Sequence, residues 1–153
     1  LFEEFVVLSR AEVQSRYEVK LEKYNKIMNI EVRTMKRLVR RDYLPAINKF
    51  AADIARHIAE VEAVLPDADL TCQRERLRKL LAGAAEINQH LEKLHTLHYA
   101  SREVVDQQER ANMNAHQIVP VMDDLRHAVD QMELIVEREF WPVPTYNEIL
   151  FYA

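Results

Sequence analysis

Apolar and aromatic residues recur at three- and four-residue steps from Val13 to Leu65, and this stripe constrains the fold more than any other feature of the sequence. The repeat matches one face of an amphipathic α-helix. At about 1.5 Å per residue, such a helix is on the order of 80 Å long, which exceeds the width of one small domain. Part of the helix therefore extends beyond whatever packs against it. The stripe comprises Val13, Tyr17, Leu21, Tyr24, Met28, Val32, Met35, Val39, Tyr43, Ile47, Phe50, Ile54, Ile58, Val61 and Leu65.

Local signals predict the ends of this first helix and a distortion within it. Ser9 and Glu12 have the spacing of a capping box, in which each side chain accepts a hydrogen bond from the other residue's backbone amide. Pro45 lacks an amide proton and predicts a kink, because the apolar stripe resumes at Ile47 without a loop. The helix is expected to stop before Pro66, where the sequence Pro-Asp-Ala-Asp favours a turn.

Two further apolar stripes predict helices that return along the first. Helices joined by short turns are antiparallel neighbours, so the second helix is expected to run against the first and the third. The polar run at residues 106–112 is interpreted as the turn between them, and Pro120 as the site of a second kink. The second stripe consists of Leu77, Leu80, Leu81, Ala84, Ile87, Leu91 and Leu94. The third consists of Ile118, Val121, Met122, Leu125, Val129, Met132, Ile135 and Val136.

The predicted fold class is all-α. A long kinked first helix and two returning helices form a three-helix antiparallel bundle with an overhang, and an extended tail rich in proline and aromatic residues follows it. The chain of 153 residues is expected to form a single helical domain. We expect helices at about residues 10–64, 70–108 and 113–140, and the tail at residues 141–153.

Apolar groups outside the bundle predict surfaces that dock on another body. The returning helices are expected to leave residues 9–26 uncovered, and a tail this apolar does not resemble a disordered segment. The candidates are Tyr17, Leu21 and Tyr24 in the overhang, and Trp141, Tyr146 and Phe151 in the tail. The apolar residues at 1–8, and a first residue other than Met, indicate a fragment of a larger protein.

Composition argues against several classes of protein. The lone Gly83 excludes glycine-rich phosphate-binding loops, which need several glycines. The single Cys72 excludes an internal disulfide and is typical of a reducing compartment, so a cytoplasmic location is expected. No apolar run approaches the roughly 20 residues that cross a bilayer, so no membrane partner is expected. The net charge of −4 argues against nucleic acid as a partner.

Histidines and carboxylates raise the alternative of a metal site, which the sequence does not favour. Glu92 and His95 have the Glu-x-x-His spacing of carboxylate-bridged di-iron bundles, but such bundles need a second copy. Asp124 and His127 only approximate that copy. His95 and His98 could chelate one ion, yet no third ligand is assignable. No arrangement of Ser, His and Asp, or of Cys and His, indicates a nucleophile either.

A basic stripe lies on the first helix, and two interpretations of it stay open. Its members are Arg33, Lys36, Arg37, Arg40 and Arg41. Residues 33, 37, 40 and 41 share one face. The stripe is either a solvated or salt-bridged face between subunits, or a contact for an acidic partner or phosphate. No aromatic residues interleave with the cations, so base stacking with nucleic acid is not indicated.

Stretches near both ends of the chain resemble type III glutamine synthetases. Residues 15–31, with the sequence SRYEVKLEKYNKIMNIE, and the Leu-Pro-Ala sequence at 44–46 resemble the helix that follows the catalytic part of those enzymes. Residues 119–126 (VPVMDDLR) and 140–151 (FWPVPTYNEILF) resemble their end, and the Trp-Pro-x-Pro-Thr-Tyr sequence is the most specific piece.

The resemblance implies the carboxy-terminal helical region of a ligase that joins ammonia to glutamate with ATP and Mg or Mn. The family's catalytic and metal residues lie upstream, so no catalytic, cofactor-binding or metal residue is carried over, and this region alone is expected to be inactive. The implied partners are the rest of the parent chain and neighbouring subunits of a homo-oligomeric ring. The region would then support the catalytic body or the ring assembly.

The alternative is a free-standing helical protein-interaction module that uses the basic stripe. Arg33, Arg37 and Arg40 are the interface candidates on this stripe.

Overall fold

A computed structural model describes residues 8–144 and 146–151, apart from the side chains of Tyr146 and Asn147. The regular elements in this part of the chain are all helices, which confirms the all-α prediction. The apolar segment expected at residues 1–7 lies outside the described residues. Of the helices that are described, none is long and apolar enough to cross a membrane.

The first rod, residues 10–64, consists of two α-helices joined by a wider helical turn. Helix α1 (Arg10–Leu38) leads into a π-helical turn (Val39–Tyr43), and α2 (Leu44–Val64) follows without a loop. The predicted capping box is present at its start. The Ser9 amide donates to Glu12 Oε2 at 2.8 Å, and the Glu12 amide donates to Ser9 Oγ at 3.3 Å. These bonds lower the pKa of Glu12.

A π-helical turn precedes each proline that the sequence places inside a helix. In the first rod the Leu44 amide donates to the Val39 carbonyl, just before Pro45. The third rod repeats this arrangement, with a π-helical turn (Asn114–Ile118) just before Pro120. A proline ring clashes with the carbonyl four residues earlier in a regular α-helix, and a widened turn relieves that clash. Both rods therefore continue through their prolines.

The second turn of the bundle lies earlier than predicted. Helix α3 (Thr71–Glu103), the second rod, ends at Glu103 rather than at residue 108, and the third rod begins with α4 (Gln107–Met113) rather than at residue 113. The polar run interpreted as a turn is thus largely helical. Asp106 explains the difference, because its carboxylate caps α4 by accepting from the Glu109 amide at 2.7 Å. Arg110 then binds the Val104 and Arg102 carbonyls at 3.0 Å, which closes the end of α3.

The third rod, residues 107–133, also ends earlier than predicted. It comprises α4, the second π-helical turn and α5 (Val119–Glu133), and so it stops at Glu133 rather than at residue 140. The Ile135 and Val136 amides both donate to the Met132 carbonyl, which tightens the last turn and redirects the chain. A short helix, α6 (Tyr146–Phe151), follows the tail segment.

The apolar stripes of all three rods meet in one core. Each of its large side chains contributes about 1.5 to 3 kcal/mol on burial, before the cost in conformational entropy. The second rod runs against the first, since its start lies beside the end of α2, where Arg74 pairs with Glu62, and its end lies beside α1. The most deeply buried members are Val32, Val39, Ile47, Phe50, Leu80, Ile87, Leu91, Leu94, Ile118 and Leu125.

The overhang of the first rod is present but shorter than predicted. Residues 9–20 are all exposed, whereas Asn25 is buried and Tyr24 packs against the core. The early start of the third rod is the physical reason, because α4 lies beside α1 at a position where the prediction placed no helix.

The first part of the tail folds back on its own bundle rather than extending away. Trp141 is 3% exposed, and its ring centroid lies 5.2 Å from that of Tyr43. Phe140 packs on Phe50 at the same centroid separation. Arg76 lies 4.8 Å from the Phe50 centroid and donates to the Ile135 carbonyl at 2.8 Å. The expectation that Trp141 docks on another body is therefore wrong for its ring, which is buried inside this chain.

Gly83 of α3 lies against Met132 of α5, and we expect the two residues to be energetically coupled. A Cβ at position 83 would overlap the Met132 sulfur. Gly83→Ala should thus be neutral or destabilising by up to about 2 kcal/mol, because overpacking against Met132 cancels or exceeds a helix-propensity gain of about 1 kcal/mol. In a Met132→Ala background the same substitution should stabilise. Urea unfolding of the four proteins tests this, and an equal effect of Gly83→Ala in both backgrounds would contradict it.

Candidate functional site

A cluster of polar side chains lies where the end of α3 meets α1 and the start of the third rod. We call this cluster the polar junction. It borders a cavity of about 340 Å³. Three of its members, Asn25, Ser101 and Asn114, are no more than 5% exposed. The members are Asn25, Asn29, His98, Ser101, Gln107 and Asn114.

Asn114 connects the three rods through this junction. Its side-chain amide donates to Asn25 Oδ1 at 2.9 Å, and its own oxygen accepts from Ser101 Oγ at 2.7 Å. Asn25 in turn donates to the Gln107 carbonyl at 3.0 Å. A buried polar group without a partner is costly, so a network with these bonds satisfied fixes how the rods align. The second π-helical turn begins at Asn114 and presents it to the other two rods.

His98 forms the outer edge of the junction and is held in its neutral form. Its Nε2 lies 2.9 Å from Asn29 Oδ1, and its Nδ1 lies 3.2 Å from Lys36 Nζ. Because an ammonium group only donates, Nδ1 accepts and Nε2–H donates. Burial, followed by the charges of Lys36 and Arg102, lowers the pKa of His98 to about 4. Burial and the neighbouring arginines also lower the pKa of Lys36.

These contacts bear on the metal alternative. Both ring nitrogens of His98 already have partners, so this histidine is not free to chelate an ion with His95. Glu92 binds Arg40 at 2.9 Å, which occupies the carboxylate of the Glu-x-x-His pair. Within the described residues, no group of three or more His, Cys, Asp or Glu side chains could hold a metal ion.

A second feature opens from His98 towards solvent, and we call it the basic groove. It lies between α1 and α3 and has a volume of about 520 Å³, and the described residues that line it include no carboxylate. Arg33 and Lys36 come from the basic stripe, whereas Arg102 faces them from the other helix. The lining residues are Arg33, Lys36, His95, His98, Tyr99 and Arg102.

The remaining overhang and stripe candidates lie at separate places. Tyr17 is 47% exposed, and its hydroxyl donates to Gln108. Leu21 is half-buried and borders an open cavity beside α4. Arg37 is exposed, whereas Arg40 is engaged by Glu92.

The tail candidates differ in exposure. Phe151 is 78% exposed on α6, in contrast to the buried Trp141. The side chain of Tyr146 lies outside the described residues. The structure therefore does not gather the predicted interface residues into one site.

The sequence does contain a feature that predicts the polar junction, because polar residues occupy positions at which the apolar stripes would place core residues. Asn25 is four residues after Leu21 and three before Met28, so it occupies a core position of the first stripe. His98 and Ser101 continue the second stripe beyond Leu94 at the same steps. A polar residue at a core position predicts a buried partner, although the identity of that partner depends on the tertiary fold.

Comparisons with known proteins agree with the resemblance. A family model described as "Glutamine synthetase C-terminal domain" matches residues 1–62, and these residues include the whole of α1 and nearly all of α2. A type-3 glutamine synthetase of Dictyostelium discoideum is 31% identical over 155 residues, which cover 99% of this chain and 21% of that protein. Residues 1–62 thus match the glutamine synthetase C-terminal domain family, and nearly the whole chain is similar to glutamine synthetases.

Two bacterial glutamine synthetases are also similar to this chain. That of Butyrivibrio fibrisolvens is 27% identical over 99% of this chain and 22% of its own length. That of Bacteroides fragilis (strain YCH46) is 22% identical over 95% of this chain and 20% of its own length. The chain thus spans about a fifth of the length of the curated relatives it matches.

The neutral His98 predicts acid sensitivity. Its pKa is about 4 in the folded chain, whereas an ordinary histidine has a pKa of 6.5, so between these two values the unfolded chain binds more protons. Stability from His98 is fully present above pH 6.5 and is lost as the pH falls towards 4. We expect a loss of about 1 to 3 kcal/mol at pH 4.5 relative to pH 7, which His98→Gln should remove.

Urea unfolding across this pH range measures the effect. His127→Gln, at an exposed histidine of α5, is the matched control and should keep the wild-type profile. A His98→Gln profile identical to that of the wild type would contradict the assignment of a neutral, buried ring.

Proposed function

We propose that this chain is a non-catalytic helical region of a glutamate–ammonia ligase and that it supports the catalytic body or the ring assembly. ATP and Mg or Mn would act elsewhere in the parent enzyme, and the region alone would be inactive. The similarity to glutamine synthetases over nearly the whole chain supports the parent activity. The small share of those enzymes that the chain spans supports an accessory role.

The observation that carries the docking role is the apolar surface of α6. Ile149, Leu150 and Phe151 are 64%, 71% and 78% exposed. Arg138 binds Glu148 at 2.7 Å and the Trp141 carbonyl at 3.1 Å, so the base of this helix is tied to the buried part of the tail. A cluster of large apolar side chains held in solvent is typical of a contact surface. The occupant we propose is the rest of the parent enzyme, its own catalytic body or that of a neighbouring subunit.

The uncovered start of α1 offers a second contact surface. Val13, Tyr17 and Val19 are between 38% and 60% exposed there. This part of α1 extends past α4, so no described element covers its far end. A helix in a protein gains most of its stability from tertiary packing. An additional partner along the exposed turns of α1 would supply that packing.

A second candidate function is a protein-interaction module that uses the basic stripe. One observation favours it: Arg37 is exposed and forms no ion pair with a carboxylate among the described residues, whereas Arg40 binds Glu92. Charge reversal therefore separates the two candidates better at Arg37 than at Arg40.

Substitution of Phe151 in the longer enzyme tests the docking role. Phe151→Ser removes an exposed apolar group, so it should weaken assembly at least tenfold and lower glutamine formation, while the fold of this region stays intact. Sedimentation velocity and an assay of glutamine formation are the measurements. Val64→Ser is the matched control, since Val64 is also 78% exposed but lies at the end of α2 rather than on α6.

The outcomes distinguish the two candidates. Under the docking role, Val64→Ser and Arg37→Glu leave assembly and activity unchanged. An enzyme that assembles and turns over normally with Phe151→Ser would contradict the role of α6. Loss of partner binding in Arg37→Glu alone would favour the interaction module instead.

A further inference from the structure

The basic groove brings cations from two helices to the same space. Arg33 and Lys36 are three residues apart on α1, and Arg102 lies on the opposite wall, one turn beyond His98 on α3. Arg33 and Arg102 are exposed and form no ion pair with a carboxylate in the described part of the chain. The sequence alone predicts the cations on α1 but not the contribution of Arg102 from α3.

No carboxylate among the described lining residues balances the charges in the groove. The lining contains three cations and no carboxylate. Glu92 raises the pKa of Lys36, and its carboxylate already binds Arg40. The repulsion from Arg40, Arg102 and Arg33 adds to burial in lowering that pKa. An anion placed between the two walls would relieve this repulsion.

The dimensions of the groove suit a small molecule. Its volume of about 520 Å³ falls in the range of roughly 300 to 1,000 Å³ that is typical of small-molecule sites. Arginine guanidinium groups bind phosphate and carboxylate oxygens in a bidentate manner, and lysine adds a compact charge. Tyr99, which is 64% exposed, adds a hydroxyl group and an aromatic ring to the rim.

We propose that the basic groove binds a small multivalent anion, with adjacent phosphate or carboxylate groups held between Arg33 and Lys36 on α1 and Arg102 on α3. The ligand bridges the two helices, and it therefore stabilises their contact by mass action. This site does not depend on the docking role of α6, because none of its residues lies in the tail.

Calorimetric titration of the full 153-residue chain tests the proposal. Inorganic pyrophosphate and citrate are the probes, and sodium chloride keeps the ionic strength constant because surface charges are screened by salt. We expect saturable binding that weakens at least tenfold in Arg33→Gln and in Arg102→Gln. Arg78→Gln, at an exposed arginine of α3 outside the groove, is the matched control and should bind as the wild type does.

A second readout places the bound anion near the junction. Pyrophosphate or citrate should raise the pKa of His98, and NMR titration of the His98 imidazole measures that rise. The rise should be absent in Arg102→Gln.

Binding of pyrophosphate alone assigns a phosphate ligand, and binding of citrate alone assigns a carboxylate ligand. The absence of saturable binding, or equal binding by all four proteins, would overturn the proposal. Binding of a poly-glutamate peptide but of neither small anion would overturn it in favour of an acidic protein partner.

Discussion

The apolar seam along α3 is the contact on which the rest of the structure depends. Its buried Leu80, Ile87, Leu91 and Leu94 lie between α2 on one side and α5 on the other. Truncation of such a side chain typically lowers folding stability by about 2 to 5 kcal/mol. Packing against α3 therefore holds both α2 and α5 in position. The seam ends near His98. Beyond that point α1 and the third rod are connected by hydrogen bonds, so the bundle has an apolar part and a polar part.

The two π-helical turns show how the prolines fit into such a bundle. A π-helical turn inserts one extra residue, which rotates the following helix by about 100° relative to a regular α-helix. In the first rod the turn keeps Val39 buried ahead of Pro45, and in the third it places both Asn114 and Ile118 inside. The second turn therefore serves two purposes, since it relieves the proline clash and brings an amide side chain to the polar junction.

The sequence predicts the features that depend on local chemistry, and it misses those that depend on contacts across the fold. The apolar stripes, the Ser9 cap and continuity through Pro45 follow from periodicity and backbone geometry. The prediction of a turn at residues 106–112 is wrong because Asp106 is equally common in turns and at helix N-caps, and here it caps α4. The burial of Trp141 depends on Tyr43, far away in the chain. In the candidate site the cations of α1 were predicted, whereas Arg102 joins them only through the packing of α3.

His98 gives the polar junction and the basic groove a common member. One ring nitrogen donates to Asn29 in the polar junction, and the other accepts from Lys36 in the groove. The cations that keep His98 neutral are the same ones that would contact an anion. An anion that offsets their charge must favour protonation of His98, and by linkage a protonated His98 must favour the anion. Protonation also removes the acceptor that Lys36 uses, which would free its ammonium group for the ligand. An anion in the groove would thus be coupled to the contact between α1 and α3 through one imidazole ring.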